Sequence, residues 1–242
     1  MEVDYQLLEE NIRAGYRRIT AQYRRDDEIE VTTENHCRLG RLLRRICQSF
    51  PKRIAALDVG CGTGRYFHCL EKVEHLTGLD ISEEMLAAAR NPVRKEWITA
   101  GTIKLRQGNI YFSAFPPHSF DLIYSLGMFG HGCPVTVQIC GRFFEWLKPG
   151  GKLLFNVVDV AGLPWCQRLG RRLRSVLCPL LSARWRCRLD VRERRSPLFA
   201  LRRRQLLRLL AETHFQRYSV LSQPCSSPLW NGRHLECLAH KD

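Results

Sequence analysis

Three alternating glycines and a later aspartate are the residues of this sequence best suited to ligand chemistry. Gly60, Gly62 and Gly64 follow directly after the apolar run 54–59, which ends in Asp58-Val59. Glycine lets the backbone adopt positive φ and approach a ligand closely. Asp80 ends the next apolar run, 20 residues after Gly60, where a carboxylate can accept both hydroxyls of a ribose. The combination predicts a binding site for a nucleotide-like cofactor.

The details of this loop argue against two common nucleotide-binding motifs. A dinucleotide-binding loop has a third glycine at the position where Arg65 stands, and a bulky side chain there would disturb the contact between helix and strand. A nicotinamide or flavin cofactor is therefore disfavoured. The P-loop pattern GxxxxGK[ST] does not occur in the sequence, which excludes a P-loop NTPase.

Strands and helices alternate through the middle of the chain. Apolar runs predict strands at 54–59, 76–80, 103–107, 120–125 and 152–158, and helices at 66–73, 83–90 and 135–147. This alternation predicts an α/β three-layer sandwich with a mostly parallel sheet and ligands at the carboxyl ends of the strands. Two further strands, 215–222 and 235–240, are joined by a loop too short for a crossover helix, so we expect seven strands with an antiparallel closing pair.

The motifs in this order resemble those of the class I S-adenosylmethionine-dependent methyltransferases. Residues 57–64 resemble the first motif of that family, 78–82 its ribose-binding acid and 108–110 its adenine-recognition motif. Residues 120–125 and 147–153 resemble the fourth strand and the turn before the fifth strand. The resemblance covers about residues 10–160. It implies a Rossmann-like fold, methyl transfer as the activity and S-adenosyl-L-methionine as the cofactor.

The resemblance also implies roles for individual residues. The backbone of residues 60–64 would face the methionine part of the cofactor, and Asp80 would bind the ribose. Asn109 would accept a hydrogen bond from the adenine amine through its amide oxygen, with Ile81 and Ile110 on either side of the ring. The full set of cofactor-binding residues implied in this way is Asp58, Gly60, Cys61, Gly62, Gly64, Asp80, Ile81, Asn109, Ile110 and Ser125.

Two residues are candidates for catalysis on the acceptor side. A sulfonium methyl group is already reactive, so a base is needed only for an acceptor such as a hydroxyl or a protonated amine. His131 lies in a glycine-rich loop after the fourth strand, and Tyr23 lies in an N-terminal segment that the resemblance implies is a lid. The alternatives are that His131 closes its own loop and that Tyr23 is ordinary packing. The stretch that begins at Ser125 lacks a [DN]PP[YF] tetrad, which argues against methylation of amides or exocyclic amines.

Positive charge is concentrated in one region of the chain. Residues 161–217 contain 15 arginines, no lysine and three acidic residues, and supply +12 of the formal net charge of +14. Leucines and tryptophans recur between the arginines at near-helical spacing, interrupted by Pro179, which predicts a kinked amphipathic insert. Four roles stay open for this insert: a cap over the acceptor pocket, a membrane-surface helix, an RNA-docking surface or a dimer interface.

Length, cysteine content and charge pattern predict the organisation and location of the chain. At 242 residues and 45% hydrophobic content we expect one domain, with a helical lid at 1–50, a cofactor core at 51–160, the basic insert at 161–214 and the closing strands at 215–242. Eleven cysteines without a CxxC pair predict neither a disulfide framework nor a metal site. The acidic N-terminal stretch does not match a secretory signal, and polar residues interrupt the uncharged stretch 122–141, so a cytoplasmic protein is expected.

These observations together predict a methyltransferase acting on a small organic molecule that is lipophilic or anionic. An RNA methyltransferase docking through the basic insert is one alternative. A non-catalytic subunit that binds S-adenosylmethionine is another. The acceptor atom stays open, because O-, N-, C- and S-methylation share this scaffold.

Overall fold

The computed structural model describes residues 5–165, 198–226 and 231–242. The strands of the described chain are β1 (Ile54–Val59), β2 (Val73–Asp80), β3 (Thr102–Gln107), β4 (Phe120–Phe129), β5 (Leu147–Val158), β6 (Arg217–Ser226) and β7 (Asn231–His240). They form a seven-stranded sheet in the order β3-β2-β1-β4-β5-β7-β6. The first five strands pair in parallel, and β7 lies antiparallel between β5 and β6. The predicted parallel sheet and antiparallel closing pair are confirmed.

Helices cover both faces of the sheet. They are α1 (Tyr5–Glu30), α2 (Glu34–Gln48), α3 (Glu83–Ala89), α4 (Val137–Trp146) and α5 (Arg203–Ala211). Alternate strand residues point to opposite faces: one buried cluster joins the strands to α2 and α3, and another joins them to α4 and α5. The three-layer arrangement is therefore confirmed.

Side-chain caps explain where three of these helices begin. The hydroxyls of Thr33, Ser82 and Thr136 accept hydrogen bonds from the backbone three residues later, at the starts of α2, α3 and α4. Such caps satisfy backbone N–H groups that have no partner within the helix. The cap at Ser82 fixes the direction in which the chain leaves the end of β2.

The predicted helix at 66–73 is wrong. The chain forms a short 3-10 turn over Phe67–Cys69 instead, and β2 already begins at Val73. Eight residues separate Gly64 from Val73, and they must return along the length of β2, which is about 26 Å at 3.3 Å per residue. Eight residues in an α-helix would span only about 12 Å, so a full helix cannot make this return.

Part of the predicted basic insert lies outside the described residues. Residues 166–197 belong to that part, and so do the arginines that give the insert most of its charge. The described remainder includes α5, whose Leu206 and Leu210 are buried against the sheet. Within residues 5–165, 198–226 and 231–242, no helix is both long enough and apolar enough to cross a bilayer.

Candidate active site

A pocket lies at the carboxyl ends of β1, β2 and β4, under α1. Its volume is about 950 Å³ with its open mouth included, at the upper end of the range for small-molecule sites. In the sheet, β2 and β3 lie on one side of β1, and β4 and β5 lie on the other side, so the strand order changes direction at β1. Parallel α/β sheets bind ligands at such a point, and the pocket lies there. Its walls include Glu9, Ile12, Tyr16 and Tyr23 of α1, residues 58–62 of the glycine loop, Arg65, Tyr66, residues 79–81, Met85, residues 108–111, residues 126–128, His131 and Cys133.

The glycine loop has the backbone conformation that the sequence predicts. The φ angles of Gly60, Gly62 and Gly64 are 72°, 53° and 76°, all in the left-handed region that favours glycine. A Cβ on Gly60 would lie 2.6 Å from the Met128 sulfur, whereas a Cβ on Gly62 would meet open space. The loop therefore presents bare backbone to the pocket at Gly62, where a ligand can approach it.

Asp80 lies in the pocket wall, at the end of β2. One carboxylate oxygen accepts a hydrogen bond from the Gly62 amide at 2.8 Å, and the other accepts from the Ser82 amide at 3.0 Å. Burial raises the pKa of this carboxyl above its ordinary value. A carboxylate has about four acceptor positions, so each oxygen keeps capacity for a further donor such as a ribose hydroxyl. The residue thus lies where its predicted role requires.

Asp58 forms the floor of the same pocket. Its side chain is almost fully buried at the end of β1, and burial raises its pKa to about 8. A buried carboxylate is stabilised by a nearby positive charge. The ammonium group of a bound amino-acid moiety would supply such a charge, which fits the methionine part of the predicted cofactor.

Asn109 lines the pocket, but its side chain makes hydrogen bonds to other protein groups. Its amide oxygen accepts a hydrogen bond from the Tyr111 backbone at 2.9 Å, and its amide nitrogen donates to Glu9 at 2.8 Å. The oxygen that we expected to meet adenine therefore already closes a local turn. The carboxylate of Glu9, on α1, is the acceptor that reaches this part of the pocket. Sequence analysis missed Glu9 because nothing in the helical pattern of α1 shows which face meets the sheet.

Ile81 and Ile110 both line the pocket near Asn109. Cys61 lines it as well, with its sulfur packed against Gly78. These three residues lie where the cofactor assignment places them.

Ser125, which the resemblance places among the cofactor-binding residues, is not among the residues that line the pocket. Its side chain is fully buried, and its hydroxyl donates to the Val59 carbonyl oxygen at 2.8 Å. The residue therefore fastens β4 to β1 beneath the pocket.

Helix α1 is held against the glycine loop by a buried polar cluster. Asp27 accepts a hydrogen bond from the Thr63 hydroxyl and lies 3.3 Å from the Arg65 guanidinium. The same guanidinium lies 3.8 Å from Glu30 and 5.3 Å from the centre of the Tyr23 ring. Arg65, which the sequence analysis used only to argue against a dinucleotide site, thus connects the loop to the helix above it. Tyr23 is held in the pocket wall by this contact.

His131 reaches the pocket from the loop after β4. Its Nε2 atom lies 3.4 Å from Nε2 of His234 on β7. Burial lowers the pKa of His131 to about 4, so the imidazole is neutral near pH 7 and can accept a proton. The His234 contact connects the loop after β4 to β7, and His131 also lines the pocket, so its role toward the acceptor stays a prediction.

Comparisons with known proteins agree with this geometry. Residues 56–151 match the family model of a methyltransferase domain. Demethylmenaquinone methyltransferase of Listeria welshimeri is 27% identical over 174 residues, which cover 70% of this chain and 72% of that protein. The Leptospira interrogans protein of the same name is 27% identical over 193 residues, with 73% and 74% covered.

Solved structures show the same fold at low sequence identity. A Haemonchus contortus phosphoethanolamine N-methyltransferase 2 with S-adenosyl-L-methionine has a TM-score of 0.59 at 18% identity, covering 84% of this chain and 52% of that one. The chain therefore spans about half the length of the Haemonchus enzyme. A possible histamine N-methyltransferase of Thermotoga maritima has a TM-score of 0.56 at 18% identity, with 94% and 98% covered.

Over residues 56–151 the chain matches the methyltransferase-domain family, and its fold is that of the class I S-adenosylmethionine-dependent methyltransferases. Its cofactor is S-adenosylmethionine, and it is an enzyme. In this methyltransferase the bare backbone at Gly62, the acceptor capacity of Asp80 and the buried carboxyl of Asp58 fit the methionine and ribose parts of that cofactor. When bound, the cofactor supplies a sulfonium methyl group as the electrophile.

Proposed function

We propose that this methyltransferase methylates a small lipophilic acceptor with an aromatic ring of the quinol or phenol type. The observation that carries the proposal is the composition of the pocket wall. Ile12, Tyr16, Met128 and Cys133 line the pocket together with His131. Apolar and aromatic walls with a few placed polar groups are typical of sites for such ligands.

The charges that line the pocket argue against an anionic acceptor. Glu9, Asp58 and Asp80 contribute three carboxyls, and Arg65 is the one cation among the described lining residues. That cation lies beside Asp27, at 3.3 Å. A lining of carboxyl groups favours a positively charged sulfonium cofactor over a carboxylate or phosphate. Of the two kinds of acceptor that the sequence left open, this balance supports the lipophilic kind.

We assign the role of general base to His131 and a lid role to α1. As the methyl group moves to the acceptor, the neutral imidazole would take the proton that the acceptor releases. Tyr23 and Tyr16 would close the pocket above the methyl group and exclude water. Their rings would also hold the acceptor in line with the bond that breaks. The names of the Listeria and Leptospira relatives support a lipophilic ring acceptor.

The proposal is tested with purified enzyme and methyl-labelled S-adenosylmethionine. The acceptors are a soluble naphthoquinol that lacks a methyl group and, for comparison, phosphoethanolamine, the charged acceptor class named for a structural neighbour. We expect label in the naphthoquinol and none above background in phosphoethanolamine. A His131→Asn variant controls for non-enzymatic transfer and should lose most of the naphthoquinol activity. Preference for phosphoethanolamine would contradict the proposal.

A further inference from the structure

Two histidines and a cysteine converge outside the cofactor pocket. His36 lies in the first turn of α2, and His68 and Cys69 lie in the 3-10 turn after the glycine loop. All three side chains are at most 5% exposed. The chain lacks CxxC pairs, so its sequence predicts no metal site, but the fold brings these metal-ligand types together from positions more than 30 residues apart. The repeated His-Cys pairs at 36–37 and 68–69 are the signal that could have shown it.

The distances between the three donor atoms match those around a bound metal ion. The Cys69 sulfur lies 3.4 Å from Nε2 of His68 and 3.7 Å from Nε2 of His36, and all three donors lie within 4.8 Å of one another. With metal–sulfur and metal–nitrogen bonds of about 2.3 and 2.05 Å, tetrahedral or trigonal coordination separates sulfur and nitrogen by about 3.6 to 3.8 Å. The cluster therefore needs shifts of only a few tenths of an ångström to close around an ion.

Packing holds the three residues in this arrangement. The His36 ring stacks on Tyr66 with centroids 4.5 Å apart, and on His68 at 5.4 Å. Gly40 of α2 leaves room for the sulfur, since a Cβ there would lie 2.8 Å from it. The Nδ1 atom of His36 is buried without a hydrogen-bond partner among the described residues. Partners at that position usually strengthen metal binding 10- to 100-fold, so an affinity below that of a fully supported site follows.

The ligand set and its surroundings select a soft ion. Thiolate and imidazole ligands favour Cu⁺ and Zn²⁺ over Mg²⁺ and Ca²⁺. Binding displaces the thiol proton to solvent, so Cu⁺ with one thiolate is neutral whereas Zn²⁺ leaves a buried positive charge. Arg44 and Arg94 face the cluster, with Glu71 paired to Arg44 and Glu96 near His68. The two cations oppose a further positive charge.

We propose that His36, His68 and Cys69 bind one soft d10 metal ion, and that Cu⁺ is bound more tightly than Zn²⁺. The site would join α2 to the turn behind the glycine loop. Tyr66, which stacks on His36, also lines the cofactor pocket. The proposal is independent of the acceptor that the enzyme uses.

The test is titration of the reduced full-length protein with Cu⁺ in competition with a chromophoric Cu⁺ chelator, and separately with Zn²⁺. We expect the unsubstituted protein to bind one equivalent of Cu⁺. Cys69→Ala and His68→Asn should bind it more than about tenfold more weakly, because loss of a metal ligand costs more affinity than loss of a residue that only hydrogen-bonds to a ligand. Cys140→Ala, a buried cysteine elsewhere in the core, and His75→Asn, an exposed histidine, serve as matched controls and should bind as the unsubstituted protein does. Equal affinity in Cys69→Ala would overturn the site, and tighter binding of Zn²⁺ than of Cu⁺ would overturn the charge argument.

A second measurement needs no substitution and so does not depend on a variant folding. The rate of alkylation at each cysteine is followed by peptide mass spectrometry with and without Cu⁺. With free ion at ten times its dissociation constant, about 90% of the site is occupied and alkylation of Cys69 should slow about tenfold. The rate at Cys140 should not change. An unchanged rate at Cys69, or equal slowing at both cysteines, would overturn the proposal.

Discussion

Replacement of Asp80 by asparagine tests the cofactor-binding geometry most sharply. The change removes the negative charge and turns one of the two oxygens, which accept from the Gly62 and Ser82 amides, into a donor that faces a donor. It keeps the volume of the side chain. A hydrogen bond to a charged group contributes about 1.5–3 kcal/mol, so loss of one such bond to the ribose should raise the Kd for S-adenosylmethionine about 10- to 150-fold.

Isothermal titration calorimetry with S-adenosylmethionine and with S-adenosylhomocysteine measures this change. Asp121→Asn is the matched control, because Asp121 is also buried but lies at the opposite end of the sheet, paired with Lys148 at 2.7 Å. Asp121→Asn should leave the Kd within about twofold of the unsubstituted value even if it lowers the Tm, since it breaks a partly buried ion pair. A Kd for Asp80→Asn within twofold, or an equal loss in both variants, would refute the ribose assignment.

Three further substitutions test the lid, the base and the pocket floor. Asp27→Ala removes the carboxylate closest to the buried Arg65 guanidinium, so it should lower the free energy of unfolding in urea by about 3 kcal/mol and raise the KM for S-adenosylmethionine. The control Glu28→Ala changes an exposed neighbour and should alter neither quantity. Equal effects of the two substitutions would contradict the role of Asp27 in holding α1 against the glycine loop. His131→Asn should lower kcat about 100-fold with little change in cofactor Kd. Because burial lowers the pKa of His131 to about 4, kcat of the unsubstituted enzyme should stay level from pH 8 to about pH 5, and a decline centred near the ordinary pKa of about 6.5 would contradict this. Burial raises the pKa of Asp58 to about 8, so the folded apo protein keeps a proton that the unfolded chain releases above about pH 4, and stability falls as the pH rises from there to 8. Asp58→Asn should remove that part of the decline in urea unfolding at pH 5 and pH 8, and an unchanged slope would count against the raised pKa.

The order of strands and the place of the pocket could be predicted because they depend on local signals. Apolar runs separated by helix caps such as Ser82 fix where strands end, and the handedness of parallel crossovers then limits how the strands can be ordered. Glycines at positions that need positive φ mark the loop, and Asp80 marks the end of the neighbouring strand. These features require no knowledge of which distant residues meet.

Where structure and prediction differ, the conformation depends on residues that are distant in sequence, and a local sequence pattern does not show such contacts. The 66–73 segment has helical periodicity, but the length of β2 that it must span decides its conformation. Ser125 ends the predicted strand 120–125, but β4 continues to Phe129, and the Ser125 hydroxyl donates to the Val59 carbonyl oxygen on β1. The side chain of Asn109 is shared between its own turn and Glu9, 100 residues away.

The two buried clusters that sequence analysis missed have the same cause. Asp27 and Arg65 lie 38 positions apart, and His36 lies 32 positions before His68. In each case the meeting depends on how α1 and α2 pack on the turn after the glycine loop. A single sequence contains the residue types but no record of this packing.

The most direct test of the central claim is transfer of a labelled methyl group from S-adenosylmethionine into a cell extract that is then separated into small-molecule, lipid, RNA and protein fractions. The unsubstituted enzyme and His131→Asn are compared at equal concentration. A lipophilic ring acceptor predicts label that partitions into the lipid fraction and is largely lost with His131→Asn. Label that accumulates in RNA or protein, and is retained by the variant, would contradict the proposed acceptor and the role of His131 together.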